Sequence, residues 1–108
     1  MTAEFGLDER ACEMLRSVFA RYPEIDEVRI FGSRANGTFR KESDVDLALY
    51  GNVDDKLASR VASELDDLPL PYRFDVHAYP CIRYQPLTDH INRVGRLFFV
   101  REHRTVHR

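Results

Sequence analysis

Two aspartates one residue apart, Asp44 and Asp46, open an apolar segment, and this arrangement constrains the fold more than any other feature of the chain. In a β-strand, side chains two positions apart project from the same face. The two carboxylates would share one face, while Val45, Leu47 and Leu49 would point into a core on the other. Neighbouring carboxylates repel each other unless a positive charge lies between them. Hard divalent cations take oxygen ligands, so the segment predicts a strand that carries a cation site.

A glycine–serine turn lies ten residues before this aspartate pair. Val28 and Ile30 predict a preceding strand, which ends at Gly32-Ser33. Glycine allows close backbone approach, and exposed N–H groups with the Ser33 hydroxyl can hold phosphate oxygens. Arg34 follows directly and is placed to add charge-assisted hydrogen bonds to the same phosphates. The turn therefore predicts a phosphate site beside the carboxylates.

A third acidic residue, Asp75, lies in a predicted strand from Tyr72 to Tyr79 and shares a strand face with His77. If this strand pairs beside the second one, Asp75 converges with Asp44 and Asp46 on one exposed patch of the sheet. Three such carboxylates can hold two Mg²⁺ ions roughly 3.5–4 Å apart, which clamp the attacking and leaving oxygens of a phosphoryl transfer. His77 can contact a nucleotide or an acceptor there, although a partly exposed strand histidine without a function is the commoner case.

The remaining pattern predicts an α/β (α+β) fold, a small mixed sheet flanked by helices, in a single domain of residues 1–108. Amphipathic helices are predicted at Leu7–Tyr22, from Asp54–Asp55 to about Asp67, and at Leu87–Val94. Asp8 is the expected cap of the first helix, and Gly95 ends the last. The apolar run at residues 97–100 has no clear type, and the polar tail at 101–108 is expected to be mobile or to face a partner.

Composition excludes several classes of protein. The formal net charge of -2 gives no global basic field, so no direct nucleic-acid binding is expected. No apolar run approaches the roughly 18 residues that span a bilayer, and the N-terminus lacks a signal-peptide pattern. The two cysteines, Cys12 and Cys81, belong to no metal-binding cluster, and reduced thiols are expected. A cytoplasmic location is the expectation that fits these features.

The spacing of Gly32-Ser33 and Asp44-x-Asp46 resembles the signature of the DNA polymerase β-like nucleotidyltransferase superfamily. The stretch GSRANGTFRKESDVDLALYG is similar to the minimal nucleotidyltransferases (MNTs) of bacteria and archaea, and DHINRVGRLFFV resembles their usual ending. The resemblance implies a polymerase β-like palm that binds Mg-ATP. It also implies Gly32 and Ser33 as triphosphate contacts, Asp44 and Asp46 as metal ligands, and Asp75 as the third carboxylate.

Minimal nucleotidyltransferases are commonly paired with a helical HEPN-domain toxin, and this pairing implies an antitoxin. The activity implied is transfer of AMP from ATP to a hydroxyl of the toxin, by expectation a tyrosine. The 108 residues leave no room for a second, acceptor-binding domain, so the acceptor site is expected to come from the partner or from a second copy. Two alternatives stay open: a non-catalytic antitoxin that neutralises its partner by binding, and a small-molecule nucleotidyltransferase that acts as an oligomer.

Overall fold

The structure, a computed structural model that describes residues 5–40 and 42–101, is built on a four-stranded mixed sheet. The strands are β1 (Ile25–Phe31), β2 (Val45–Gly51), β3 (Phe74–Ala78) and β4 (Arg96–Val100), in the order β3-β2-β1-β4. β1 pairs antiparallel with both β2 and β4, while β2 and β3 are parallel. The predicted mixed sheet flanked by helices is therefore confirmed.

Three predicted helices are present, and a fourth, one-turn helix joins them. They are α1 (Glu9–Ala20), α2 (Ser33–Asn36), α3 (Asp55–Asp66) and α4 (Gln85–Val94). Asp8 caps α1 as predicted, because its carboxylate accepts a hydrogen bond from the Ala11 amide at 2.8 Å. Asp54 caps α3 in the same way, through the Leu57 amide at 2.9 Å. Within the described ranges, no helix is long and apolar enough to cross a membrane.

The main core lies on one face of the sheet, between the strands and helices α1 and α3. Val45, Leu47 and Leu49 of β2 are fully buried there, as their alternation with the aspartates predicted. Complete burial of an aliphatic side chain of this kind contributes about 1.5–3 kcal/mol. The helices supply the other wall of this core through Leu15, Val18, Phe19, Leu57, Val61 and Leu65.

The opposite face of the sheet is partly covered by a helix. α4 packs across this face and buries Ile91 against Phe31 of β1 and Ala48 of β2. The sequence predicted a helix here but not the surface on which it lies. The part of this face that carries Asp46 and Asp75 lies at the end where β2 and β3 begin, and it remains more accessible.

Element boundaries differ from the predicted ones for identifiable reasons. β1 begins at Ile25, earlier than expected, because Ile25 is fully buried and pairs with Gly51. α4 begins at Gln85 because Pro86 is tolerated in the first turn of a helix, where no intrahelical bond needs its N–H. The apolar run that had no predicted type is β4, the strand at one edge of the sheet.

Arg101, assigned to the polar tail by the sequence, is anchored to the fold instead. Its guanidinium donates to the carbonyl oxygens of Ile25 at 2.9 Å, Tyr22 at 2.6 Å and Phe19 at 3.1 Å. Its backbone amide also donates to the Asp26 carbonyl at 2.8 Å. The rest of the predicted tail, residues 102–108, lies outside the described residues.

Replacing Asp54 with alanine removes the N-cap of α3, and we expect it to lower the free energy of unfolding by about 1 kcal/mol. The matched control is Asp55→Ala, which removes a neighbouring exposed carboxylate that forms no cap hydrogen bond. The control should lose less, because it keeps the cap hydrogen bond and loses only a charge–dipole contribution. Urea unfolding of both variants measures the difference, and equal losses would contradict the assigned cap.

Candidate active site

The turn after β1 lies directly against the carboxylate of Asp46. Antiparallel pairing places Phe31, the last residue of β1, opposite Asp46. The next residue, Gly32, has φ 76° and ψ -154°, a conformation that is essentially restricted to glycine. A Cβ atom added to Gly32 would overlap Asp46 Oδ2. Glycine is therefore favoured by the backbone conformation, and a side chain at this position would displace the Asp46 carboxylate.

Ser33 begins α2, a single helical turn directly after the glycine. The turn ends at Gly37, which has φ 81° and donates its N–H to the Ser33 carbonyl. The side chain of Ser33 is half-buried, and its hydroxyl forms no hydrogen bond with the described residues. Its position next to the Gly32–Asp46 contact leaves this hydroxyl available to a ligand at the same end of the sheet.

Three carboxylates meet beside this turn. Parallel pairing places Asp46 opposite Asp75, and Asp44 precedes β2 by one residue and is exposed. Burial, followed by the negative charges of Asp75 and Asp44, raises the pKa of Asp46 from 3.8 to about 6. Neither Asp44 nor Asp46 forms a salt bridge with any described residue. The strand pairing has thus assembled the uncompensated negative charge that the sequence pattern indicated.

Asp75 is paired with His77, its neighbour on the same strand face. His77 Nε2 lies 3.1 Å from Asp75 Oδ2, and the two side chains are 30% and 58% exposed. The His77 ring also lies 5.8 Å from the Phe31 ring, whose other neighbour is His90 of α4 at 6.1 Å. No role for His90 follows from the sequence, because only the packing of α4 across the sheet brings its ring beside Phe31.

The chemistry of this cluster fits a hard divalent cation. It offers carboxylate oxygens, the ligands that Mg²⁺ prefers, and burial together with the charges of Asp75 and Asp44 raises the pKa of Asp46. Among the described residues, however, no three His, Cys, Asp or Glu side chains are arranged so that they could hold a metal ion as they stand. Asp75 is turned towards His77. Closing a three-carboxylate site therefore requires side-chain rotation, and the two Mg²⁺ ions stay a prediction.

Arg34 does not lie open to the turn as the sequence analysis expected. It is only 2% exposed, the one charged residue among the buried side chains described. Its Nε and Nη2 donate to the Ser43 carbonyl at 3.1 and 3.0 Å, and Nη1 donates to the Phe5 carbonyl at 2.8 Å. A guanidinium that is buried and bonded to backbone carbonyls does not fit a phosphate contact, so this placement corrects the role expected for Arg34.

Alanine at Gly32 is expected to destabilise the protein more than alanine at Gly37. Both glycines have positive φ, but a Cβ at Gly37 meets no atom within 4 Å, whereas one at Gly32 overlaps Asp46. Gly37→Ala should cost about 1–2 kcal/mol for its left-handed backbone. Gly32→Ala should cost more, because its Cβ atom would overlap Asp46 and because residues other than glycine rarely adopt this backbone conformation. Chemical unfolding at pH 7 tests this order, and a smaller loss for Gly32→Ala would overturn the assigned contact.

The raised pKa of Asp46 predicts a specific pH dependence of stability. Between pH 3.8 and about 6 the folded protein holds a proton that the unfolded chain has released, so stability falls as pH rises through this window. A pKa of about 6 in place of 3.8 corresponds to about 3 kcal/mol when the change is complete. Asp46→Asn should therefore be more stable than the wild type at pH 7 in EDTA and should lose this advantage at pH 3.5. A pH-independent difference would contradict it.

Comparison with known proteins agrees with this geometry. Residues 13–104 match the model of the family described as "Polymerase beta, Nucleotidyltransferase". No curated protein sequence matches the chain significantly. Among solved structures, the chain is similar to one in a crystal structure of a toxin–antitoxin with AMP-PNP, with a TM-score of 0.68 and 20% identity over 89% of this chain and 76% of that one.

Two further structures share the fold. The MntA–HepT toxin–antitoxin gives a TM-score of 0.65 and 14% identity over 87% of this chain and 74% of that one. The tri-AMPylated HEPN toxin of Shewanella oneidensis in complex with its MNT antitoxin gives 0.65 and 14% over 86% and 72%. Since the family match covers most of the chain and the fold agrees, the chain belongs to the polymerase β nucleotidyltransferase family.

Proposed function

We propose that this protein is an antitoxin that transfers AMP from ATP to a hydroxyl group, by expectation a tyrosine hydroxyl, of a partner HEPN toxin. The family supports nucleotidyl transfer. The structures that share the fold include a toxin–antitoxin with AMP-PNP and a complex in which a HEPN toxin is tri-AMPylated. The observation that carries the proposal is the packing of Gly32 against Asp46, with Asp75 opposite it on the next strand.

In this proposal the turn binds the nucleotide and the carboxylates bind the cation. The backbone of Gly32 and the hydroxyl of Ser33 contact the triphosphate, since both lie next to the carboxylates. Asp44, Asp46 and Asp75 would hold Mg²⁺. When bound there, Mg²⁺ would neutralise phosphate charge and lower the pKa of the acceptor hydroxyl. Arg34 is not part of the nucleotide contact in this proposal, because its guanidinium is buried.

The transfer itself requires an exposed group that can accept the acceptor's proton. The acceptor oxygen forms a bond to the α-phosphorus, the bond from that phosphorus to the bridging oxygen breaks, and pyrophosphate leaves. Asp75 is the exposed carboxylate of its strand pair with Asp46, so it can take the proton from the hydroxyl. His77, hydrogen-bonded to Asp75, orients the carboxylate. AMP on the toxin would add negative charge and bulk at the modified position.

The experiment incubates the purified protein with α-³²P-labelled ATP, Mg²⁺ and the protein encoded by the adjacent gene. We expect label on that partner and loss of label in the Asp44→Ala, Asp46→Ala double variant. The matched control is Asp66→Ala with Asp67→Ala, which removes two exposed carboxylates at the end of α3, away from the cluster. The control should transfer label at the wild-type rate, because α3 packs on the opposite face of the sheet.

Other outcomes separate the alternatives. Neutralisation of the partner that survives the Asp44, Asp46 double substitution would overturn the catalytic proposal in favour of an antitoxin that acts by binding. Label that appears on an added small molecule and never on protein would favour a small-molecule nucleotidyltransferase. Label that needs both the partner and the intact carboxylates supports the proposal as stated.

A further inference from the structure

We propose that Arg34 is a positioning residue that holds Asp44 in the orientation needed for cation binding, and that it acts through the carbonyl group of Ser43. The inference rests on the proposed function, because it assumes that Asp44 binds a cation. It assigns to Arg34 a role different from contact with phosphate. Three features of the structure carry it: the hydrogen bonds of the guanidinium, its position over two aromatic rings, and the position of Ser43 in the chain.

The hydrogen bonds of Arg34 converge on the peptide group that leads into Asp44. Nε and Nη2 both donate to the Ser43 carbonyl oxygen, at 3.1 and 3.0 Å. This oxygen belongs to the peptide unit that joins Ser43 to Asp44, and that unit is planar. Two donors from one rigid guanidinium therefore anchor the oxygen of the peptide unit from which the Cα atom of Asp44 extends, and so restrict the position of Asp44.

Two aromatic rings hold the guanidinium in this position. Its carbon lies 5.1 Å from the centre of the Phe39 ring and 5.2 Å from the centre of the Tyr72 ring. A third hydrogen bond, from Nη1 to the Phe5 carbonyl at 2.8 Å, ties it to the segment before α1. A cation over aromatic rings is favourable, and the ammonium group of lysine cannot combine this contact with the forked hydrogen bonds to the Ser43 and Phe5 carbonyls.

Asp44 depends on this support because its own side chain has little. It is exposed, it precedes β2, and its carboxylate makes no hydrogen bond to the described residues. On its C-terminal side the chain is fixed by the Val45 amide, which donates to the Arg73 carbonyl at 2.8 Å. On its N-terminal side the bond from Arg34 to the Ser43 carbonyl performs the same task. The backbone on both sides of Asp44 is thus held by a hydrogen bond. The bond on the N-terminal side comes from the Arg34 side chain, which can be substituted.

The test compares Arg34→Lys with a matched control, Arg101→Lys. Arg101 is also a partly buried arginine that donates to several backbone carbonyls and lies over a ring, Phe99, but it sits at the opposite end of the sheet. Two measurements do not depend on AMP transfer: Mn²⁺ affinity by electron paramagnetic resonance and hydrogen exchange of the Ser43 amide. A third is the affinity for ATP in EDTA.

Loss of a residue that orients a metal ligand typically lowers metal affinity by about 10- to 100-fold. We expect Arg34→Lys to lose Mn²⁺ affinity in this range, to exchange the Ser43 amide faster, and to keep its ATP affinity in EDTA. Arg101→Lys should keep all three values. In an Asp44→Asn background, Arg34→Lys should add little further loss of Mn²⁺ affinity, because the ligand on which it acts is already removed.

Each other outcome has a definite meaning. Loss of ATP affinity in EDTA with unchanged Mn²⁺ affinity would show that Arg34 contacts phosphate, and the inference would be wrong. Equal Mn²⁺ affinity in the wild type and Arg34→Lys would also overturn it. A wild type that binds no Mn²⁺ would instead contradict the cation site of the proposed function. If Arg34→Lys fails to fold, Tyr72→Leu removes one stacking ring and keeps the hydrogen bonds, and a smaller loss of Mn²⁺ affinity in the same direction is then expected.

Discussion

The contact between the Gly32 backbone and the Asp46 carboxylate is the constraint on which the whole site depends. The register of β1 on β2 places Phe31 opposite Asp46, so the chain leaving β1 must pass directly over that carboxylate. A slip of one residue would turn Asp46 into the main core and expose Val45 and Leu47, which are fully buried. The apolar side of β2 therefore fixes the register, and the register fixes the site. The same strand pairing therefore stabilises the fold and places the Gly32 turn against the Asp46 carboxylate.

The pairing of the strands also brings the carboxylates of Asp44, Asp46 and Asp75 close to one another, where their negative charges repel. Burial, followed by the charges of Asp75 and Asp44, raises the pKa of Asp46 to about 6, so keeping this carboxylate ionised at neutral pH costs about 3 kcal/mol. Burial of Val45, Leu47 and Leu49 on the other side of the same strand contributes about 1.5–3 kcal/mol for each side chain. The strand is thus stable enough to present carboxylates that repel one another. A cation or a cationic ligand group at this end of the sheet would relieve the repulsion, which is the physical reason to expect that binding here stabilises the protein.

Predictions from the sequence were correct for the parts of the fold that depend on local pattern. They were wrong or incomplete where contacts between distant segments determine the structure. Alternation in β2 and the amphipathic spacing of α1 and α3 gave correct elements and correct buried faces. The face on which α4 packs could not be predicted, since it follows from tertiary contact with Phe31 and Ala48. β4 gave no clear signal because its pairing with β1 shifts register at Phe98, so that Phe98 and Phe99 both pack near Phe19 and the alternation is lost. Arg34 was misplaced for a similar reason, because the rings that bury it lie elsewhere in the sequence.

Three arginines donate hydrogen bonds to backbone carbonyl oxygens, and this affects the electrostatics of the chain. Arg34 and Arg101 each satisfy several carbonyl groups at opposite ends of the sheet, and Arg16 donates to the Phe98 carbonyl at 3.2 Å while it lies over the Phe98 ring. The fork of the guanidinium suits it to this task, which lysine performs poorly. Hydrogen bonding to the backbone does not remove the charge of Arg34: burial and the charges of Asp75 and Asp44 raise the pKa of Asp46, and the Arg34 guanidinium opposes them. In the proposed function, a divalent cation would supply the remaining compensation for a triphosphate beside Gly32. The geometry of Asp44, and with it the bond from Arg34 to the Ser43 carbonyl, would then matter directly for nucleotide binding.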